Sequence, residues 1–239
     1  MNKPISYQKG TIISTKEYSS RVKGVTIKPE YDIDWEPGQF IITKTQIDNQ
    51  DIIADYTINF PNSLELTDNV SPFEIIVDNH PLSKIGKLFH SLNKGDNIIF
   101  KGARGRFTFK DQGKDIVFIF RNIGIAAAYP ILSKLNKINF SHKISIFNFL
   151  TDDFPEILHK EISQFKNIDV QYKLVNTRFT DNDNISIGKL SKQQMMTLFQ
   201  PHINSTFYLS GASIFNKSLR QKLINIGVDK QSIFREMFG

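Results

Sequence analysis

The sequence of 239 residues contains no cysteine. Disulfide bonds, thiolate zinc sites, a cysteine nucleophile and an iron–sulfur cluster held by protein thiolates are therefore excluded. The five histidines show no His-x-x-x-His spacing of the kind that a helical metal site uses. No Gly-x-Ser-x-Gly motif is present, so nothing indicates a nucleophilic serine of that type. We expect neither a metal centre nor a serine–histidine triad.

Long apolar runs are also missing. No run approaches the roughly 18 residues that a membrane-spanning helix needs, and the first residues lead into polar sequence without the apolar core of a secretion signal. A length of 239 residues with 40% hydrophobic content suffices for about two ordinary domains. The expectation is a globular, cytoplasmic protein of two domains with no membrane span.

The formal net charge of +6 permits an acidic partner. The lysines are scattered along the chain, and the densest basic patch, at 101–106, is glycine-rich and belongs to a motif described below. No nucleic-acid-binding motif is present, so we expect no nucleic acid partner. A lysine-rich solvated surface and a surface that meets an acidic redox protein both remain open.

The first half of the chain has the pattern of an antiparallel β protein. Short segments rich in Ile, Val, Thr and Phe are separated by turn formers, such as those at 36–38 and 93–96. This spacing predicts an antiparallel barrel or sandwich, and apolar residues at helical spacing predict one short helix at 83–92. The predicted strands are residues 10–15, 22–27, 40–45, 54–60, 73–77 and 97–102.

From about Asp115 apolar strands alternate with helices, which predicts a parallel sheet of the doubly wound kind. The predicted strands are residues 116–120, 144–150, 170–175 and 206–210, and the predicted helices are residues 126–135, 154–165, 192–199 and 213–226. The polar segment 110–115 is the natural hinge. We therefore predict an N-terminal antiparallel β-barrel domain at 1–112, followed by a doubly wound parallel-sheet α/β domain at 113–239.

Several motifs occur in an order and spacing that resemble the ferredoxin-NADP reductase superfamily. They are Pro37-Gly38-Gln39-Phe40, Leu92 with Gly95-Asp96, Gly102 to Phe107, Ile123-Gly124-Ile125-Ala126, Ser210-Gly211-Ala212 and the terminal Glu236-Met237-Phe238. The resemblance extends over almost the whole chain. It implies that the barrel binds FAD, with FMN as the alternative, and that the α/β domain binds NADPH or NADH.

The resemblance assigns the flavin to the segment Ala54-Asp55-Tyr56-Thr57, where the superfamily has Arg-x-Tyr-Ser/Thr. It implies that the Tyr56 ring packs on the isoalloxazine and that the Thr57 hydroxyl bonds near its reactive nitrogen. Ala54 replaces the arginine that pairs with phosphate, so we expect weaker phosphate binding unless another cation substitutes. The alternative is an ordinary strand tyrosine and threonine.

A second flavin element lies at the start of the predicted short helix. The superfamily has Gly-x-x-Ser where this chain has Ser83-Lys84-Ile85-Gly86, with serine and glycine exchanged. The resemblance implies that the flavin phosphate meets the free backbone N–H groups and the dipole of this helix start. Ser83 is then the expected N-cap, Lys84 an available cation and Gly86 part of the cofactor site.

The expected nicotinamide phosphate loop departs most from the pattern. The superfamily has Gly-Gly-Thr-Gly or a close variant, because the coenzyme must approach the backbone closely. This chain has Arg121-Asn122-Ile123-Gly124, in which only the last glycine remains. Arg121 can bind a phosphate through its side chain, whereas Ile123 adds bulk. The alternative is a strand-to-helix turn that binds nothing.

Two basic residues resemble those that surround the adenosine 2'-phosphate in NADP-using members. They are Arg178, in Asn176-Thr177-Arg178, and Lys189, in Gly188-Lys189-Leu190. The resemblance implies that both contribute to coenzyme binding by charge. The alternative is two solvated charges beside a loop rich in Asn and Asp.

The last part of the chain contains the residues that the resemblance places near the nicotinamide. Ser210 stands where the superfamily has a cysteine near the nicotinamide, and Gly211 follows it. Glu236 and Phe238 match a Glu-x-Phe whose carboxylate and ring lie near the nicotinamide and flavin in relatives. The alternative is a surface acid and a frayed chain end.

Together these resemblances imply a flavoprotein oxidoreductase that transfers electrons from NAD(P)H through FAD to an external acceptor. Tyr56, Thr57, Ser210 and Glu236 are the candidate catalytic residues. The acceptor is then a ferredoxin, flavodoxin, oxygenase, ferric chelate or quinone. The alternative is a binding or regulatory module that keeps the fold and has lost nicotinamide turnover, and the loop 121–124 discriminates between the two.

If Arg178 and Lys189 flank a 2'-phosphate, the protein should prefer NADPH over NADH. The double change Arg178→Ala with Lys189→Ala should reduce that preference by about 1 to 3 kcal/mol, the scale of charge-assisted hydrogen bonds. Initial rates with each coenzyme measure the preference. Equal use of NADH and NADPH by the unmodified protein would contradict the assignment.

Overall fold

The computed structural model describes residues 6–61, 70–176 and 190–238, and for residues 176, 237 and 238 it describes the backbone alone. The chain divides into two compact units, Met1–Thr108 and Phe109–Gly239. The polar segment predicted as the hinge is bonded to the second unit. The Lys110 N–H donates to the Tyr208 hydroxyl at 2.8 Å, and the Thr206 hydroxyl donates to the Gln112 side chain at 3.0 Å.

The first unit is built on one six-stranded antiparallel, barrel-like sheet. Its strands are β1 (Gln8–Glu17), β2 (Val22–Pro29), β3 (Phe40–Ile47), β4 (Gln50–Thr57), β5 (Phe73–Asp78) and β6 (Asn97–Arg104), in the order β4-β3-β6-β1-β2-β5. Every second side chain points inward, so Ile12, Ile41, Phe73 and Phe100 join one buried cluster. The predicted antiparallel barrel is confirmed, although β4 begins and ends earlier than residues 54–60.

Helix α1 (Lys84–Ser91) begins at the residue that the sequence predicts. The Ser83 side chain accepts a hydrogen bond from the Gly86 N–H at 2.9 Å, which satisfies one of the unpaired donors of the first turn. A Cβ atom at Gly86 would lie 2.5 Å from the carbonyl oxygen of Asp78 at the end of β5. The predicted N-cap is therefore confirmed, and Gly86 permits the close approach of α1 to the sheet.

A buried lysine holds the other end of α1. The Lys23 ammonium group donates to the carbonyl oxygens of His90 at 2.9 Å and Leu92 at 2.7 Å, and its side chain is 6% exposed. Cations near the last turn satisfy unpaired carbonyls and interact favourably with the helix dipole. Lys23 on β2 thus attaches α1 to the sheet.

The second unit is a five-stranded parallel sheet with helices. Its strands are β7 (Ile116–Arg121), β8 (Ile144–Leu150), β9 (Val170–Asn176), β10 (Thr206–Ala212) and β11 (Ile233–Phe238). Its helices are α2 (Ile125–Lys137), α3 (His159–Ser163), α4 (Lys192–Phe199) and α5 (Ser213–Asn225). All seven residues of β8 are buried, as expected for a strand covered on both faces. The predicted doubly wound domain is confirmed.

The strand order of the second unit, β11-β10-β7-β8-β9, reverses beside β7. After β7 the chain continues to β8 and β9 on one side, and then returns to place β10 and β11 on the other side. Open α/β sheets bind ligands at such a switch point, beside the segments that follow the two central strands, which here are β7 and β10.

The helix predicted at 154–165 is wrong in its first half, because α3 spans only His159–Ser163. Pro155 lacks an N–H and restricts the residue before it, and Leu158 has a φ of +61°, which ends any regular helix there. Residues Phe154, Ile157 and Leu158 are nevertheless buried. These apolar side chains therefore belong to an irregular segment, and not to a helix, that packs on the core of the second unit.

The Lys23 contacts predict a large effect on the stability of the first unit. Lys23→Met removes two charge-assisted hydrogen bonds to partly buried carbonyl groups, so we expect a loss of about 2 to 3 kcal/mol in the free energy of unfolding. Lys87→Met, at an exposed position of α1, is the matched control and should change it by less than about 0.5 kcal/mol. Urea unfolding measures the free energy of unfolding of both variants. Equal stabilities would contradict the stabilising role of Lys23 at the end of α1.

Candidate functional site

Tyr56 lies near the end of β4, opposite Ile41 in the register with β3. Its ring stacks on Phe89 of α1, with the ring centroids 4.9 Å apart and an angle of 30° between the planes. Burial raises the pKa of the Tyr56 hydroxyl far above its ordinary value. The tyrosine is therefore an uncharged aromatic residue, held between the sheet and the helix, at neutral pH.

The neighbouring Thr57 points to the opposite face of β4, as successive strand residues do. It is 5% exposed, and its hydroxyl has no hydrogen-bond partner among the described residues. A buried polar group without a partner costs about 1 to 3 kcal/mol. By contrast, the buried hydroxyl of Thr43 on β3 donates to the Ala54 carbonyl at 2.9 Å. The Thr57 hydroxyl is one of several buried polar atoms without a partner among the described residues, and it lies at a position that the sequence predicts to contact flavin.

Two motifs that are distant in sequence form one corner of the first unit. The Gln39 side-chain amide donates to the Gly105 carbonyl at 3.3 Å, and a Cβ atom at Gly105 would lie 2.9 Å from the Phe40 ring. Gly105 also has a φ of +104°, which few residues other than glycine adopt. Phe40 is the register partner of Thr57, so this corner adjoins the unpaired hydroxyl.

The three predicted phosphate-site residues at the start of α1 have different roles in the structure. Ser83 and Gly86 are engaged in the cap and in packing, as described above. The Lys84 ammonium group pairs with the Asp48 carboxylate at 2.6 Å, and the two side chains are 68% and 70% exposed. Such an exposed pair contributes at most about 1 kcal/mol. Lys84 is therefore a cation that an anionic ligand can recruit, although its acidic partner was not foreseen from the sequence.

In the second unit the strand-to-helix loop lies directly against β10. A short 3₁₀ turn, Asn122–Gly124, joins Arg121 to α2. A Cβ atom at Gly124 would overlap the carbonyl oxygen of Ser210, and one at Gly211 would lie 3.2 Å from the Cβ atom of Arg121. The structure thus brings the four predicted residues Arg121, Gly124, Ser210 and Gly211 together at the switch point.

The side chain of Asn122 closes this loop. Its amide donates to the Thr151 hydroxyl at 3.0 Å, and the Thr151 N–H donates to the Asn122 side-chain oxygen at 3.1 Å. Asn122 has a φ of +51°, a conformation that asparagine tolerates better than most residues. These reciprocal bonds join the ends of β7 and β8. Sequence reasoning missed Thr151, which follows β8 with no motif to mark it.

Ser210 is completely buried, and its hydroxyl has no hydrogen-bond partner among the described residues. It lies near the end of β10, where its register partner on β11 is the partly buried Glu236. The second unit therefore resembles the first in one respect. Each has a buried hydroxyl without a partner at a position for which the sequence predicts contact with a cofactor or co-substrate.

Asn216 on α5 is a further polar residue of this edge that the sequence did not reveal. It is fully buried, and its side-chain amide donates to the carbonyl oxygens of Gly211 at 3.0 Å and Glu236 at 2.6 Å. An asparagine in an amphipathic helix gives no signal by type alone. Its role follows from the meeting of α5, β10 and β11.

The predicted site residues divide between the two units. Tyr56, Thr57, Ser83, Lys84 and Gly86 belong to the first unit, and the residues at 121, 124, 210, 211, 236 and 238 belong to the second. Arg178 and Lys189 lie outside the described residues, and only the backbone of Phe238 is described. Their predicted roles stay predictions.

Across the described ranges, the structure contains no group of three or more His, Asp or Glu side chains that is arranged to hold a metal ion. Within the same ranges, none of the helices has the length and apolar character required to cross a membrane.

A barrel-like sheet followed by a parallel α/β unit is the architecture of the two-domain flavin- and nicotinamide-binding reductases, and in the described part of the chain each unit has a buried hydroxyl without a hydrogen-bond partner. Residues 10–109 match the family model described as the oxidoreductase FAD-binding domain. In its fold, the chain resembles the ferredoxin-NADP reductases.

Three known proteins illustrate the similarity. A component of the Na(+)-translocating NADH-quinone reductase of Pseudoalteromonas atlantica is 24% identical over 242 residues, which cover 95% of this chain and 58% of that protein. NADH-cytochrome b5 reductase 1 of Kluyveromyces lactis is 32% identical over 131 residues, which cover 54% of this chain and 45% of that protein. The chain thus spans less than two thirds of the length of either relative.

The third is a solved structure, a ferredoxin NADP+ reductase from Neisseria gonorrhoeae with bound FAD and NADP. It has a TM-score of 0.76 and 18% sequence identity, and the similarity covers 97% of this chain and 98% of that chain. At this level of identity the comparison shows a shared fold, over the full extent of both units.

The unpaired hydroxyl of Thr57 predicts opposite effects on cofactor binding and on stability. Thr57→Val should weaken FAD binding about tenfold or more, because it would remove the predicted hydrogen bond to the cofactor, and it should leave the cofactor-free protein as stable or more stable. Tyr56→Ala should lose most of the bound cofactor. Flavin titration followed by absorbance, with thermal unfolding of the apoprotein, measures both effects.

Thr43→Val is the matched control, because its hydroxyl has a protein partner. This change should destabilise the apoprotein by about 1 kcal/mol and leave flavin affinity unchanged. A protein that takes up no flavin in the titration, or a Thr57→Val variant with undiminished affinity, would contradict the assignment.

Proposed function

We propose that the protein is a flavin-dependent oxidoreductase that takes electrons from NAD(P)H onto FAD and passes them to an external acceptor. The observation that carries the proposal is a pair of buried hydroxyls, Thr57 in the first unit and Ser210 in the second, that have no hydrogen-bond partner in the described part of the chain. Each stands where the superfamily places a residue that contacts flavin or nicotinamide. A structural serine or threonine at such a depth would normally have a hydrogen-bond partner within the fold.

The proposed flavin contacts of the first unit are Tyr56 and Thr57, which lie next to each other near the end of β4 and on opposite faces of the strand. Tyr56 is neutral and backed by Phe89, so it offers an aromatic surface that does not change charge with pH. Thr57 offers a hydroxyl that can donate or accept a hydrogen bond. With Ala54 in place of arginine, the phosphate must depend on the start of α1 and on Lys84, which implies a looser hold.

The second unit supplies the other half of the reaction. Bound FAD would provide the redox chemistry, accepting a hydride from the dihydronicotinamide and releasing its electrons to the acceptor. The chain's own part is to bind and orient the coenzyme: Arg121 and the start of α2 for phosphate, and Ser210 with Glu236 for the polar groups of the nicotinamide. Glycine at 124 and 211 brings these elements close together.

The preference for one coenzyme follows from charge. We propose NADPH, supported by Arg178 and Lys189 in the sequence and by the bound NADP of the structurally similar ferredoxin NADP+ reductase. The names of both sequence relatives give NADH instead. Initial rates of the unmodified protein with each coenzyme decide between them, and the double variant tests whether Arg178 and Lys189 set the preference.

The electron acceptor is proposed to be a separate molecule. The absence of cysteine excludes a thiolate-bound iron–sulfur cluster within the 239 residues, and the net charge of +6 favours an acidic redox protein among the possible acceptors. The relatives by name act on a quinone and on cytochrome b5. We propose the cytoplasm as the place where this exchange occurs, as expected from the sequence.

A second function is favoured by one observation, the closed loop at Asn122. The bonds to Thr151 fix a turn in which Asn122 and Ile123 replace the small residues of the superfamily. A protein in which this turn holds the coenzyme out of position would be a regulatory or binding module that keeps the flavin and reduces it slowly. The rate of flavin reduction separates the two functions.

Hydride transfer requires the reacting atoms about 3 to 3.5 Å apart, and a misplacement of 1 Å can cost on the order of a hundredfold in rate. We therefore expect slow flavin reduction by NAD(P)H in the unmodified protein. Changing Arg121-Asn122-Ile123 to Gly-Gly-Thr should give faster reduction. Anaerobic stopped-flow absorbance measures both rates, and flavin reduction by either coenzyme is the direct test of the proposed oxidoreductase.

Thr151→Val is the control for the loop, because it removes one partner of Asn122 and keeps the loop sequence. If the hydrogen bonds between Asn122 and Thr151 restrain the loop, this single change should raise the rate of flavin reduction, but by less than the glycine variant does. If the unmodified protein reduces its flavin quickly and the glycine variant is no faster, the loop seats the pyrophosphate in another way and the regulatory alternative is rejected.

A further inference from the structure

Asn216 occupies the first turns of α5, where this helix faces the carboxyl ends of β10 and β11. Both hydrogens of its side-chain amide are used, one on the Gly211 carbonyl at 3.0 Å and one on the Glu236 carbonyl at 2.6 Å. The side chain is fully buried. One residue therefore contacts the backbone of both strands at the edge that the proposed function assigns to nicotinamide.

The two carbonyls that accept from Asn216 lie next to the side chains of Ser210 and Glu236, which are predicted to contact the nicotinamide. Ser210 and Glu236 are register partners in the parallel pair β10 and β11, and Gly211 follows Ser210 directly. The amide of Asn216 thus donates to the carbonyl oxygen of Gly211, the residue after Ser210, and to the carbonyl oxygen of Glu236 itself. It fixes the relative position of these two backbones at the point where their side chains are needed.

The orientation of this amide is determined by its partners. A flipped amide would place its oxygen against two carbonyl oxygens, so only the NH₂ group can face them. The amide oxygen then has no partner among the described residues, which costs free energy in a buried position. The protein accepts this cost and keeps both bonds to the strand ends.

This edge of the sheet also has three features that make a side-chain bridge useful. β11 is an edge strand, paired with β10 alone, and α5 begins after Ala212 without a side-chain cap. Gly211 has a φ of +151°, which gives the backbone of β10 a conformation that residues with side chains rarely adopt. A side-chain bridge from α5 is therefore well suited to hold both strand ends in register.

We propose that Asn216 is a positioning residue for hydride transfer, which holds the backbones that carry Ser210 and Glu236 in the geometry that the nicotinamide requires. This inference rests on the proposed function. Because the rate of hydride transfer depends steeply on the distance between reacting atoms, loss of the bridge should lower the rate of the step more than it lowers coenzyme affinity.

The test is Asn216→Asp, which keeps the shape of the side chain and removes both donors. With saturating NADPH or NADH, we expect the limiting rate of anaerobic flavin reduction to fall at least tenfold, while the half-saturating coenzyme concentration changes less than threefold. Flavin content should remain that of the unmodified protein. Hydrogen exchange of the β11 amides should be faster in the variant.

Asn225→Asp, the same change at an exposed position of the same helix, is the matched control and should leave rate and exchange unchanged. Asn216→Leu, which avoids a buried carboxylate, serves as a second variant if the aspartate variant does not fold. It should show the same selective loss in the limiting rate.

An unchanged limiting rate in folded variants would overturn the inference, and so would a loss of rate that merely follows the folded fraction in thermal unfolding. If the unmodified protein itself is reduced by neither coenzyme, the proposed function fails and this role falls with it. That outcome is distinct from a reactive protein whose Asn216 variants are equally reactive, which would overturn the positioning role alone.

Discussion

The close approach of Gly124 to the Ser210 carbonyl is the constraint on which the arrangement of the second unit depends. Any side chain at position 124 would overlap the backbone of β10. The start of α2 can therefore lie directly against the end of β10, at the point where the strand order reverses. This contact brings Arg121, Ser210 and Gly211 to one edge, where a parallel sheet presents its binding loops.

Around this edge, hydrogen bonds from side-chain amides hold neighbouring strand ends together. Asn122 joins the ends of β7 and β8 through Thr151, and Asn216 joins the ends of β10 and β11. The loop is thus held by specific hydrogen bonds in place of the glycines of the superfamily. Such a loop has a defined shape before any ligand binds. If that shape accommodates the coenzyme, the loop favours its precise positioning; if it does not, hydride transfer is slow.

The polar groups of the first unit differ in whether the described chain satisfies their hydrogen bonds. Lys23 satisfies two carbonyls at the end of α1, and the Thr43 hydroxyl bonds to Ala54. The hydroxyl of Thr57, equally deep, has no such partner among the described residues. Since folded proteins pair nearly all of their buried polar groups, the Thr57 hydroxyl is a position at which the proposed flavin can be tested.

The sequence by itself determined the order and type of most elements, because strand periodicity, turn formers and the Ser83 cap are local signals. It also indicated the superfamily through motifs at residues 37–40, 102–107 and 210–212. It failed at 154–158, where Pro155 and the left-handed Leu158 override an apolar spacing typical of a helix. Only the tertiary structure decided which residues meet: Lys84 with Asp48, Asn122 with Thr151, and Asn216 with the ends of β10 and β11. These contacts join residues distant in sequence, and their geometry depends on strand order and close packing, which no local pattern encodes.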